Sequence, residues 1–258
     1  CQAFAGTSDK ETLNFCLVFT FNLLPHVLGG TKTDSEEGAR GTSDPEKDPL
    51  IRFRPKCYKG TRLQPETAHM SLKDKHKWDA KYGVSEYITG REPCEWLQHN
   101  ADLLTGQGRA LDIAAGEGRN AVFAAEKGYE VLAIDISETG LDKAHALADQ
   151  KKTKLETQVV DLDEWKFKKN AFDLVLCFNF LDRRIFHKIK NTLKPGGLIF
   201  CETFTVDHLK HSDFKREWVL EHNELLNVFR EYHIIRYREM DRDEKAFASM
   251  VARKKNDA

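Results

Sequence analysis

From residue 109 onward the sequence obeys one constraint: short runs rich in β-branched and aromatic residues alternate with stretches of helical apolar spacing. The strand-like runs are "RALDIA" (109–114), "EVLAIDI" (130–136), "KLETQVV" (154–160), "FDLVLCFN" (172–179), "GLIFCETF" (197–204), "YHIIRYRE" and "AFASMVAR". Between them lie helical patterns over "RNAVFAAEKG", "SETGLDKAHALADQKK", "RRIFHKIKNTL" and "REWVLEHNELLNVF", and "EPCEWLQHNADLL" predicts a helix before the first strand. Regular alternation of this kind predicts a doubly wound α/β fold, a seven-stranded and mostly parallel sheet with helices on both faces. Only Met240 to Lys245 separate the last two runs. That is too short for a helical crossover, so the carboxyl terminus should be an antiparallel hairpin.

In such a sheet ligands bind beyond the carboxyl ends of the strands, and the first turn to consider is "DIAAGEGRN". Gly116-Glu117-Gly118-Arg119-Asn120-Ala121 satisfies the GxGxxG/A pattern of a dinucleotide turn, in which helix-terminal N–H groups meet a pyrophosphate. The surrounding charges point elsewhere. Asp112 and Glu117 would repel phosphates, whereas the sulfonium and ammonium of S-adenosylmethionine would be stabilised by them. Asp112 to Gly118 reads as acid-x-Gly-x-Gly-x-Gly with Ala114 in the first glycine's place, followed by Gly116 and Gly118. Asp135 ends the second strand, where a carboxylate suits ribose hydroxyls. Asp161 and Leu162 follow the third strand, placed for the edge and face of an adenine.

These residues, with "WDAKY", "YITGREP", "DLVLCFNFLDR" and "LKPGGLIFCETF" in order, resemble the class I S-adenosylmethionine-dependent methyltransferases. The resemblance is to the small-molecule branch similar to tellurite-resistance and thiopurine methyltransferase-like proteins, covers Lys75 to about Lys254, and implies a Rossmann-like methyltransferase fold. It implies that Trp78 and Tyr82 belong to a segment closing over the cofactor and that Arg91 lies near the methionine carboxylate. Asn120, Ile136 and Phe178 join the implied cofactor set. The acceptor is expected beyond the fourth strand, near Phe178, Asn179, Asp182 and Arg183. The expected reaction is in-line transfer of a methyl group to a thiol, metalloid or heterocycle. A dedicated base is optional, because alignment alone supplies much of such a barrier reduction.

The 258 residues carry a formal net charge of −1, which argues against a chain devoted to neutralising nucleic-acid phosphates. The "CFNFLDR" stretch also lacks the Asn/Asp-Pro-Pro-Tyr/Phe signature of nucleic-acid amino methyltransferases, so neither nucleic acid nor membrane is an expected partner. Six cysteines show no metal-ligand spacing, which predicts no metal and a reducing, cytoplasmic setting for a monomer or weak dimer. Residues 1–69 hold five of the seven prolines and none of the four tryptophans. They read as a poorly ordered leader ahead of a methyltransferase domain over 70–258. Two rival readings are a catalytically silent cofactor-binding module and an NAD(P)-dependent oxidoreductase. The latter needs a positioned Tyr/Lys or His, and no such constellation is visible.

Overall fold

The computed structural model describes residues 67–256, with side chains from Lys73 onward. The leader expected over 1–69 lies outside the described residues except for its last three, which open helix α1 (Thr67–Tyr82).

Seven strands form one sheet: β1 (Arg109–Ile113), β2 (Glu130–Asp135), β3 (Glu156–Val159), β4 (Phe172–Phe178), β5 (Leu193–Phe204), β6 (His233–Arg242) and β7 (Lys245–Arg253). Their order is β3-β2-β1-β4-β5-β7-β6. The first five run parallel, and β7 runs antiparallel to both β5 and β6, as the sequence predicts. The β6–β7 reversal takes two residues, Asp243 and Glu244, with φ of 55° and 59°. Positive φ at both central positions is what a tight hairpin turn requires, because its twist then matches that of the strands.

Alternation along the strands divides the core into two faces. Leu111, Ile113, Val175, Ile199 and Met250 pack on one side. Ala110, Leu174, Leu176, Phe200 and Val251 pack on the other, against α2 (Glu95–His99) and α3 (Arg119–Glu126). Helix α4 (Glu138–Gln150) starts where Ser137 Oγ accepts the Gly140 N–H at 3.1 Å, an ordinary N-cap. α1 crosses that same end: Asp79 accepts from Ser137 Oγ at 2.7 Å and from the Thr139 N–H at 3.3 Å.

Two predicted helices are interrupted. "EPCEWLQHNADLL" becomes α2 and a separate 3₁₀ turn at Ala101–Leu103. The break falls at Asn100, buried with its amide bonded to Trp96 O at 2.6 Å, so the side chain competes for the carbonyls that a longer helix would use. "REWVLEHNELLNVF" becomes a 3₁₀ turn, an extended link and α6 (Glu224–Val228). There Val219 and Leu220 are fully buried, and Asn223 enters the left-handed region at φ 59°, which no continuing helix accommodates. Helix α5 (Phe186–Thr192) is preceded by a 3₁₀ turn and leads directly into β5. β5 begins before Pro195-Gly196, with the register against β4 shifting between Phe172 and Leu174.

Candidate active site

The carboxyl ends of β1, β2, β4 and β5 converge on the face that carries α2 and α3. Asp112 and Asp135 share it with Ala110 and Ala133, since residues two apart on a strand point the same way.

Asp112 is 2% exposed, and its Oδ2 has no hydrogen-bond partner. Burial, and then the nearby Asp135 carboxylate, push its carboxyl up to about 8; the Ala121 amide and Arg119 oppose this weakly. A buried acid oxygen with no partner is costly, so the position is built to meet a donor or cation.

Asp135 is also buried, but both its oxygens are in use: Oδ2 accepts the Gly116 N–H and Oδ1 the Ser137 N–H, each at 2.8 Å. It therefore joins the glycine loop to the start of α4. Burial raises its pKa, and the backbone donors pull it back.

The glycine loop is shaped by close contacts. A Cβ on Gly118, where φ is 82°, would lie 2.3 Å from Ala144 Cβ, so this glycine lets α3 and α4 approach. A Cβ on Gly116 would lie 2.6 Å from the hydroxyl oxygen of Tyr82. Tyr82 thus seats directly on the loop. It is stacked on Trp78 with ring centroids 5.5 Å apart, and burial beside Asp135 and Glu117 strongly raises its phenol pKa. Ala114, in the first glycine position, is held at φ 53°.

Several expected residues also make contacts within the protein. Glu117, counted by sequence among the charges facing a ligand, turns into the protein. It accepts from the Ile88 and Thr89 amides, from Thr89 Oγ1 at 2.8 Å, and from Lys143 Nζ at 2.9 Å. Glu117 therefore anchors the segment after α1, and Asp112 is the unpartnered acid beside the loop. Asn120 accepts the Cys94 N–H at 2.8 Å, and Arg119 donates to Thr89 O at 2.6 Å. Arg91 is exposed and lies over the Tyr87 ring, 4.7 Å from its centroid. Asp161 Oδ1 accepts the Asp163 N–H at 2.9 Å in a turn, with Leu162 half-buried beside it. Ile136 is half-buried just past Asp135.

On the acceptor side, Phe178 is buried, and Asn179 is exposed at φ 54° with its N–H on Glu202 O at 2.8 Å. Asp182 caps the 3₁₀ turn at Arg183–Ile185 by accepting the Arg184 N–H. Arg183 grips Glu224 through two bonds of 2.7 and 2.8 Å and also donates to Glu217 O and Val219 O. Arg183 thus ties the 183–185 turn to the 217–224 segment. Sequence reasoning missed Asp79, the Glu117–Lys143 anchor and Glu202. For Glu202 a signal was present: an acid inside the otherwise apolar run "LIFCETF".

A sequence model of the methyltransferase domain matches residues 110–197, the stretch from β1 into β5 that holds Asp112, the glycine loop and Asp135. Over residues 110–197 the chain is therefore similar to a methyltransferase domain. The chain is 28% identical over 115 residues to a ubiquinone biosynthesis O-methyltransferase of Acinetobacter baylyi, covering 42% of this chain and 48% of that one. It is 31% identical over 130 residues to a putative methyltransferase, YqeM, of Bacillus subtilis, covering 47% and 49% respectively. The chain thus spans about half the length of the curated relatives it matches. In fold it is similar to TehB from Haemophilus influenzae, with TM-score 0.52, 20% identity and coverage of 70% of this chain and 67% of that one. A Burkholderia thailandensis 1,6-didemethyltoxoflavin-N1-methyltransferase has TM-score 0.54, 18% identity and coverage of 77% and 93%.

The site fits S-adenosylmethionine. The unpartnered Asp112 oxygen meets the need of an ammonium, and the glycine at 116 lets Tyr82 close directly against the loop beside it, where a side chain would collide. A pyrophosphate would face Asp112 and Asp135, with the nearby Arg119 already holding Thr89 O and the Cys94 sulfur.

Proposed function

We propose that this protein transfers a methyl group from S-adenosylmethionine to a small-molecule nucleophile, a thiol, metalloid or heterocycle, by in-line displacement. The observation that carries the proposal is the buried, unpartnered Oδ2 of Asp112 beside the glycine cradle. When bound, the cofactor supplies an already activated methyl sulfonium. Asp112 holds the ammonium. Asp135, fixed by two backbone donors, offers its remaining lone pairs to the ribose, and Asp161 with Leu162 borders the adenine. Tyr82 and Trp78 on α1 exclude water from above. With no strong activation left to provide, the chain contributes positioning, an effect worth up to ~7 to 11 kcal/mol.

The test is calorimetric titration of the full chain with S-adenosylhomocysteine and, separately, NADH, with Asp135→Ala as control. Saturable binding of the first alone, weakened in the variant, supports the reading. Binding of NADH alone overturns it. A labelled methyl donor and an acceptor panel then separate an enzyme from a silent binding module. No helix among the described residues is long and apolar enough to cross a membrane.

A further inference from the structure

Register extends the cofactor face sideways. Phe178 of β4 pairs with Glu202 of β5, Glu202 with Ser249 of β7, and Ser249 with Arg238 of β6. These form one row, and Glu202 lies on the same face as Phe200 and Leu198, hence on the face of Asp112. Two strand spacings separate β1 from β5, roughly 10 Å.

Glu202 is unusual in that row. Its side chain is 15% exposed, so it is mostly withdrawn from water. Ser249, itself fully buried, donates to Oε2 at 2.6 Å, and Arg238 Nη2 approaches the same oxygen at 3.5 Å. Arg238 is in turn fixed by its Nε bond to Ser249 Oγ at 3.2 Å and lies over the Trp96 ring, 4.6 Å from its centroid. Both contacts fall on Oε2. Oε1 has no partner among the described residues and is reached by solvent, since it is absent from the fully buried unpartnered atoms. One oxygen is held and the other is presented.

We infer that Glu202 Oε1 is the acceptor-side catalytic group and that the acceptor is a neutral heterocycle presenting an N–H to it. The inference rests on the methyltransferase reading above and narrows its acceptor class. Asp112, Asp135 and Glu202 place three acids on one face, which disfavours thiolates and metalloid oxyanions relative to a neutral N–H. In the balanced step the acceptor nitrogen bonds to the methyl carbon while the carbon–sulfur bond breaks with its pair to sulfur. The nitrogen's proton passes to Oε1. Burial raises the pKa of Glu202 against the opposing effects of Ser249, Arg238 and Arg119, which favours holding that proton. The groups acting on it are Ser249 of β7, Arg238 of β6, Arg119 of α3 and the Cys94 thiol ahead of α2.

The experiment uses the full chain and two measurements. S-adenosylhomocysteine affinity is measured for wild type, Glu202→Gln and Ser249→Ala. Methylation from labelled S-adenosylmethionine is then followed with benzimidazole, 2-pyridone and uracil, their N-methylated counterparts, thiophenol and tellurite, across pH 5 to 9. We expect turnover of N–H heterocycles in preference to thiophenol and tellurite, at least tenfold lower kcat/KM in Glu202→Gln, and loss of the acid limb of the pH profile. S-adenosylhomocysteine affinity should stay within twofold. Ser249→Ala should lower kcat and shift the acid limb, which keeps the test open if Glu202→Gln folds poorly. Cofactor binding with no N–H heterocycle methylated, with thiophenol or tellurite preferred, or with an unchanged Glu202→Gln pH profile, overturns this inference and leaves the methyltransferase reading standing. No S-adenosylhomocysteine binding overturns both.

Discussion

Replacing Asp112 by asparagine should stabilise the ligand-free protein while weakening its cofactor binding. The carboxyl is raised from 3.8 to about 8 by burial and by Asp135. Below pH 3.8 both folded and unfolded chains hold the proton, and the stability associated with this group is fully present. Between 3.8 and about 8 the unfolded chain ionises while the folded chain does not, so stability falls as pH rises. At 1.36 kcal/mol per pH unit the loss reaches roughly 4 kcal/mol by pH 7. Asparagine does not titrate and keeps an oxygen for the Ala121 amide. Its buried amide group needs a partner just as a protonated carboxyl does, at a pH-independent cost of about 1 to 3 kcal/mol. The difference in slope is therefore the diagnostic quantity. Urea denaturation from pH 4 to 8 should show wild-type stability declining and Asp112→Asn nearly level, the curves diverging by up to ~4 kcal/mol at pH 7. Binding should move the other way. On the proposed reading the ligand ammonium requires an ionised Asp112, so at pH 7 binding should expel about one proton, read as a buffer-dependent enthalpy in calorimetry. The variant should release none and bind S-adenosylhomocysteine ~10- to 100-fold more weakly, the worth of one charge-assisted hydrogen bond. Parallel stability curves, or equal proton release in both proteins, would refute the reasoning.

Other substitutions test the scaffold around that acid. Gly118→Ala forces a Cβ to 2.3 Å from Ala144 Cβ at φ 82°, so urea midpoints should fall by about 2 to 4 kcal/mol equivalent. Ala114→Gly removes the cost of a left-handed alanine at φ 53° but adds freedom to the unfolded chain, leaving a net stabilisation of ~0.5 kcal/mol; a loss of stability would contradict the strain. Burial alone would raise the Asp79 carboxyl, but bonds from Ser137 and Lys75 and from the Thr139 amide bring it down to about 2. Its contribution to docking α1 is therefore present above pH 3.8 and lost as pH falls through about 2. Asp79→Ala should accelerate hydrogen exchange in residues 67–82 at neutral pH without altering exchange in β1 and β4, and equal exchange in α1 would rule out the anchoring role.

The sheet was legible because strand periodicity, turn residues and connection lengths are local properties. "RALDI", "EVLAID" and "FDLVLCF" could be only buried strands, and the six-residue gap before "AFASMVAR" forced the hairpin. The two interrupted helices were not legible, because what breaks them is tertiary. Asn100 finds Trp96 O, and Val219 and Leu220 are drawn into the core. At the site, strand-end acids could be placed but their partners could not. Arg183 stands where an acceptor contact was expected, yet its guanidinium matches a carboxylate 41 residues further on. Glu117 finds Lys143 and two amides from residues 88 and 89. Pairings this distant in sequence leave no periodic trace.

The two faces of the sheet explain why this arrangement both folds and binds. One face is closed by an apolar cluster running from Leu111 through Val175 and Ile199 to Met250. The other is equally apolar at its middle, but its carboxyl ends carry Asp112, Asp135 and Glu202. Withdrawn from water, Asp135 opposes the ionisation of Asp112, and the free protein answers by keeping Asp112 protonated. On the proposed reading, replacing that proton by a ligand cation relieves the cost, so the binding energy adds to the stability of the fold. At a ligand concentration one hundred times Kd the gain is about 2.7 kcal/mol. Asp112→Asn should lose most of that ligand-induced rise in melting temperature even where its own baseline is higher. On that reading, the polarised carboxyl end of the sheet exchanges some stability of the empty protein for selectivity toward a cationic ligand.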